Sequence, residues 1–207
     1  MIDKKQIAEF VNYGYKPFSK KECIKRIFLI WILSTALCFL GQNNTVWFIV
    51  LFLINFFITV GFTYLLIKKS QEKSSRFLCD GTAYLYYSIL LNLAAYRFLT
   101  LFSPPNILLA ISLLAVLPVC IILLLMLVYR NIKKDRYNKN YIATGACGLP
   151  FLLGILGFTT AKVFMKDVDQ ESSILIIAVC LVFLSGLMSI GSFNFLKFIL
   201  LRRISDE

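Results

Sequence analysis

The sequence predicts an all-α fold, a polytopic membrane protein with a six-transmembrane-helix bundle and a short N-terminal interfacial helix. Composition is the first observation behind this prediction, because 59% of the residues are hydrophobic and 16% are charged. Soluble domains are about half apolar and about a quarter charged. The second observation is a series of apolar segments, most of them near the length of about 20 residues that a membrane-spanning helix needs. These segments are residues 27–41, 46–67, 77–102, 107–129, 142–163 and 174–201.

The third observation is that lysine and arginine are concentrated in alternate loops. Of the 22 such residues, 19 lie in 1–26, 68–76, 130–141 and the C-terminal end from Lys197. Because positively charged loops stay in the cytoplasm, both termini are predicted to be cytoplasmic in a multi-pass protein of the cell membrane. The net charge of +11 would then face the inner leaflet and attract its anionic lipids. A nucleic-acid partner is therefore not needed to explain the charge.

The N-terminal segment is basic and amphipathic. Ile7, Phe10 and Val11 fall on one helical face, and Gly14 is expected to end the helix. A helix of this kind is expected to lie in the membrane interface. The chain is accordingly divided into a cytosolic segment, 1–26, and a six-helix transmembrane domain, 27–207.

The first two membrane segments differ in how they are expected to meet the bilayer. Ser19 and Glu22 have the spacing of a capping box before the first segment. That segment is short, and it reaches a spanning length if Lys25 and Arg26 extend to the headgroups. The second segment, 46–67, carries no charge and is expected to face lipid along most of its length.

The third segment, 77–102, is expected to be the helix around which the others are organised. Polar side chains recur at every fourth position and form one ridge, made of Asp80, Tyr84, Ser88, Asn92, Tyr96 and Thr100. Residues four apart are neighbours on a helix, and polar groups facing lipid would lack partners. The ridge should therefore face other helices or a water-filled cavity. The candidate substrate-binding residues are Asp80, Tyr84, Ser88, Asn92, Tyr96 and Arg97.

The two charges of the third segment, Asp80 and Arg97, admit two interpretations. Seventeen residues of helix separate them by about 25 Å, too far for them to pair. Each can extend to the nearest headgroups, or each can line a vestibule, with Asp80 near Arg76 and Arg97 near an outer acidic loop. The second interpretation predicts that Arg97 neighbours at least one residue of that loop. Its acids are Asp167, Asp169 and Glu171.

The last two segments contain small and hydroxyl residues. In the fifth, glycine and proline are dense, at Gly145, Gly148, Pro150, Gly154 and Gly157. This pattern is typical of close helix packing, or of an unwound helix that lines a binding site, and both alternatives stay open. In the sixth, Ser185 and Ser189 lie one helical turn apart.

The residues present favour binding over catalysis. The chain has no histidine, which removes the commonest general base and metal ligand. Its six cysteines are scattered singly, so neither a disulfide framework nor a metal site is predicted. We find no nucleotide or nucleophile motif, and we expect no cofactor. In size, predicted spans and cytosolic termini the chain resembles the substrate-binding subunits of energy-coupling vitamin transporters, with which it shares no motif.

These features predict a membrane transport component, a permease subunit or small-molecule-binding subunit that acts through a polar site inside the bundle. The polar third segment, the glycine-rich fifth segment and Pro118 in the fourth favour it. The expected partners are the lipid bilayer, a protein subunit and a small-molecule substrate. The alternative is a non-transporting interaction protein, such as a toxin-immunity, assembly or regulatory factor. A ridge that opens into a cavity would favour transport, whereas a ridge covered by protein would favour the alternative.

Overall fold

The computed structural model describes residues 4–16, 19–40, 44–68, 72–100, 107–134, 136–137 and 170–205. Within these ranges the secondary structure is helical and no strand occurs. The helices are α1 (Lys4–Asn12), α2 (Lys20–Cys38), α3 (Asn44–Lys68), α4 (Lys73–Leu99), α5 (Ile107–Lys133), α6 (Gln170–Ser189) and α7 (Phe193–Ser205), with a 3-10 turn, Ile190–Ser192, between the last two. The prediction of an all-α fold is confirmed for this part of the chain.

Among the described residues, three stretches of helix are long and apolar enough to cross a membrane. They are Thr45–Lys68, Ile111–Lys133 and Ser172–Arg203, which correspond to the second, fourth and sixth predicted segments. Helices α2 and α4 are not among them, because charges at the start of α2 and the polar residues of α4 lower their hydropathy. The predicted fifth segment, 142–163, lies outside the described residues. The coarse prediction of a membrane protein is thus supported, and six spans remain a prediction.

Helix α4 is the one around which the other described helices pack. It contacts α2, α3, α5, α6, the 3-10 turn and α7, and its most extensive contact is with α6. Gly81, Ala83 and Ala95 are buried on its surface, and such small residues let neighbouring backbones come close. A helix with neighbours on several sides can carry polar residues without exposing them to lipid.

Helix α1 packs against protein, which differs from the expected interfacial position. Phe10 and Val11 are buried in one cluster with Phe77 of α4 and with Val128 and Ile132 of α5. Gly14, with φ of +65°, ends the helical segment in a conformation that favours glycine. The amphipathic face was correctly predicted. Helix α7, the last turns of α5 and Phe77 of α4 cover it, so it is not free to face lipid.

The predicted capping box at the start of α2 is not formed by its side chains. Ser19 occupies the N-cap position but makes no side-chain capping hydrogen bond. Glu22, the expected partner, instead accepts a hydrogen bond from Arg76 of α4. The guanidinium of Arg76 carries a full positive charge, so it attracts the Glu22 carboxylate more strongly than a neutral backbone N–H does.

Helix α3 leaves a large aromatic and aliphatic surface without protein cover. Phe48, Phe52, Phe56 and Phe57 are exposed along it. This agrees with the expectation that the second segment faces lipid along most of its length. Asn55 is an exception, since its side chain is buried.

The sixth predicted segment is not one continuous α-helix. The 3-10 turn Ile190–Ser192 interrupts it where it crosses α4. Gly191 lies against the ring of Tyr84, so closely that a Cβ atom there would be 2.1 Å from Tyr84 Cγ. The turn and the missing side chain together let the two helices meet at this point.

Candidate functional site

The polar ridge of α4 lies inside the described bundle. Asp80, Ser88 and Asn92 are buried, and Tyr84 and Tyr96 are partly buried. Arg97 is 3% exposed. Their burial agrees with the expectation that these residues face other helices. Each part of the ridge has different partners.

A cluster of four charges surrounds the first ridge residue. Arg76 Nε donates to Asp80 Oδ2 at 2.8 Å, and Arg26 Nη1 forms an ion pair with Asp80 Oδ1. Arg76 Nη1 also donates to Glu22 at 2.5 Å. We call Glu22, Arg26, Arg76 and Asp80 the charge cluster. It joins α2 to α4 and places Asp80 beside Arg76.

The charge cluster is balanced, with two cations and two carboxylates. The hydrogen bond and positive charge of Arg76 hold the pKa of Glu22 below its ordinary value. Since Asp80 lies between two arginines, its carboxylate is already occupied by protein donors. The cluster therefore acts as a link between helices and offers little net charge to an incoming ion.

The middle of the ridge bonds directly to α6. Ser88 Oγ donates to the carbonyl of Ser185 at 2.7 Å, and Ser185 Oγ donates to the carbonyl of Ser88 at 2.9 Å. Asn92 Nδ2 donates to Ser185 Oγ at 2.9 Å. Reciprocal hydroxyl-to-carbonyl bonds require the two backbones to be close. The ridge thus contacts the sixth segment through small hydroxyl side chains.

The outer end of the ridge is less fully described. The guanidinium of Arg97 lies 5.4 Å from the ring centre of Trp47 on α3, a cation–π contact. Asp167 and Asp169 lie outside the described residues, and the side chain of Glu171 is not described either. The predicted contact between Arg97 and one of these acids remains a prediction.

A second polar cluster was missed by the sequence analysis. Asn55 Oδ1 of α3 accepts hydrogen bonds from Tyr86 at 2.8 Å and from Ser34 of α2 at 3.2 Å. Tyr86 is not on the ridge, because it lies two residues beyond Tyr84 on another face of α4. A single amide inside an otherwise apolar segment was the available signal, since it must find a partner in a membrane.

A cavity of about 590 Å³ lies between α4, α5 and α6. Its lining is almost entirely apolar and includes Leu113, Cys120, Ala178, Phe183 and Gly186. No ridge residue lines it. Because the glycine-rich segment 142–163 is outside the described residues, its two interpretations, packing and site lining, both remain predictions.

Among the described residues, no three histidine, cysteine, aspartate or glutamate side chains lie together in a way that could hold a metal ion. Cys23, Cys38 and Cys79 are buried as free thiols. Burial in an apolar setting is the behaviour of small hydrophobic residues.

The described site is thus a set of contacts between helices rather than an open polar chamber. The charge cluster ties α4 to α2, the serine pair ties it to α6, and Asn55 ties α3 to both α2 and α4. No protein family, curated protein or solved structure was found to match the chain.

Proposed function

We propose that the protein is a non-transporting membrane interaction protein, an assembly, immunity or regulatory factor whose polar helix holds its own bundle together. One observation carries this proposal. The central polar groups of the ridge, at Asp80, Ser88 and Asn92, are bonded to side chains or carbonyls of α2, α4 and α6. Polar groups that bind a substrate must be free to exchange protein partners for ligand. Groups already bonded to neighbouring helices contribute stability instead.

The proposal includes the six-span topology, with both termini in the cytoplasm and residues 1–26 preceding the transmembrane domain. The three apolar stretches support membrane insertion. Exposed cations at the predicted cytoplasmic helix ends support contact with anionic inner-leaflet lipids. They include Lys20, Lys21 and Lys25 of α2 and Arg202 and Arg203 of α7.

Reporter fusions test the topology. Fusions after residues 72 and 135 are expected to report a cytoplasmic location, and fusions at 44 and 169 an external one, because the positive loops stay inside. The site at 169 is the decisive one, since it depends on a fifth span between it and residue 135. A cytoplasmic signal at 169 would contradict the six-span arrangement.

A second candidate is the transport component predicted from the sequence. Two observations favour it. Oδ1 of Asn92, which is 2% exposed, has no hydrogen-bond partner in the described part of the chain. The apolar cavity beside α6, which no ridge residue lines, is also within the range of about 300–1,000 Å³ that small-molecule sites occupy. In this proposal the ridge and Arg97 bind substrate, and a partner subunit or ion gradient supplies the energy.

Native mass measurement after mild purification separates the two candidates. Both can retain a protein subunit, but only the transport component is expected to retain a small molecule bound at the ridge. In that case Asn92→Leu should lose the bound molecule, and Thr82→Leu, a matched change off the ridge, should keep it. Retention of a small molecule that depends on Asn92 would overturn our first proposal.

A further inference from the structure

Lys197 is a buried cation that the proposed function does not use. It lies on α7 and is 3% exposed. Its Nζ atom donates to the carbonyl of Tyr13 at 2.5 Å. It also lies 5.3 Å from the ring centre of Phe10, 5.4 Å from that of Phe77 and 5.2 Å from that of Phe193. The ammonium group is therefore enclosed by α1, α4 and α7 at once.

Residues 4–16, which we call the N-terminal strap, rest on this cation. Phe10 packs on Tyr137 with ring centres 4.8 Å apart and on Phe193 with ring centres 6.3 Å apart. A second attachment is weaker, because it is exposed: Lys73 Nζ donates to Asn12 Oδ1 at 2.9 Å. Of these two hydrogen bonds to the strap, the one from Lys197 is therefore the buried one.

The strap has the properties of an element that can open separately from the bundle. Helix α1 has nine residues, and isolated helices shorter than about 12–15 residues are marginal in water. Its fully buried side chains are Phe10 and Val11. Gly14, at positive φ, follows directly and allows the chain to change direction. Segments with few buried contacts open at a lower free energy than the core.

We propose that the N-terminal strap is a latch that opens and closes over the ends of α4, α5 and α7, and that Lys197 sets the closed population. When closed, the strap covers an apolar surface made of Phe77, Val128, Ile132 and Phe193. When open, it loses its helix and uncovers that surface. This inference does not depend on whether the protein transports, so it goes beyond the proposed function.

Hydrogen exchange measured by mass spectrometry on the full-length protein in detergent tests the latch. In the unaltered protein, amides of 4–15 should exchange much faster than those of α4 and more slowly than an unstructured peptide. Lys197→Met keeps a long apolar side chain but removes the donor and the charge. It should speed exchange in 4–15 by at least about tenfold, the effect of losing a buried charge-assisted bond. Amides of α4 should be unchanged.

Arg203→Met is the matched control, because it removes an exposed cation from the same helix. It should leave exchange in the strap unchanged. Should Lys197→Met fail to fold, Phe10→Leu tests the same contact from the strap side, with an expected acceleration of about threefold. Strap amides as slow as those of α4, or no acceleration in either variant, would overturn the proposal. Equal acceleration in the strap and α4 would overturn it too, since the bundle would then be opening as a whole.

Discussion

Replacing Asp80 with alanine is expected to lower the free energy of unfolding by about 3–5 kcal/mol, the usual cost of removing one partner of a buried ion pair. Asp80 is bonded to both Arg26 and Arg76. Without it, two guanidinium groups remain close together, with Glu22 as their nearest described carboxylate. Repulsion between the arginines and the loss of their hydrogen bonds both act against the folded state. Thermal unfolding in detergent, followed by helical circular dichroism, measures the change.

Glu22→Ala is the matched control for this prediction. Glu22 belongs to the same charge cluster, but its side chain is 45% exposed. Exposed ion pairs contribute about 0–1 kcal/mol, so this variant should unfold close to the unaltered protein. Equal losses of unfolding free energy in the two variants would show that the burial of the side chain does not determine the size of the effect. A stable Asp80→Ala protein would show that Asp80 does not link α2 to α4.

The central position of α4 could be predicted because it depends on a pattern within one segment. Polar residues at every fourth position must be covered in a membrane, and only neighbouring helices or water can cover them. Ser185 was visible as a hydroxyl in an apolar segment, but no residue pair across the two helices was predicted. In the structure it bonds Ser88 and Asn92. Local periodicity was therefore sufficient to find the α4 side of this contact.

The partners of Asp80 could be predicted only in part, because they depend on where helices cross. Arg76 is one turn before it on the same helix and could be named. Arg26 was interpreted as an end of the first segment that extends to the headgroups, yet it pairs with Asp80. Nothing in the spacing of α2 shows that Arg26 reaches α4. The same limit applies to Asn55, whose partners come from two other helices.

The N-terminal helix shows a different limit. Its apolar face could be identified from the spacing of Ile7, Phe10 and Val11. An apolar helix face can pack against lipid or against protein, so the sequence did not distinguish the two environments. The extra requirement, a donor for the carbonyl of Tyr13, is met by Lys197, which is 184 residues away. A contact between residues so far apart in the chain, such as Lys197 and Tyr13, leaves no signal in the local sequence.

Replacing Gly191 with alanine is expected to lower the free energy of unfolding by about 1–3 kcal/mol or more, the cost of forcing an extra group into a packed site. The added Cβ would lie 2.1 Å from Tyr84 Cγ and 2.4 Å from Cδ2. These atoms are at the base of the ring, so Tyr84 cannot avoid the clash by a small rotation. The ring would have to leave its position, or α4 would have to separate from the 3-10 turn. Thermal unfolding in detergent measures the loss.

Two comparisons make the Gly191 prediction specific to its contact with Tyr84. Gly61→Ala adds the same methyl group where no atom lies within 4 Å, and it should stabilise α3 by about 0.5–1 kcal/mol through helix propensity. In a Tyr84→Ala background the clash is absent, so Gly191→Ala should add little further destabilisation. A double-mutant cycle would then give a favourable coupling energy between the two changes. Additive losses would contradict the prediction, because they would mean that Gly191 is required for a reason other than the approach of Tyr84.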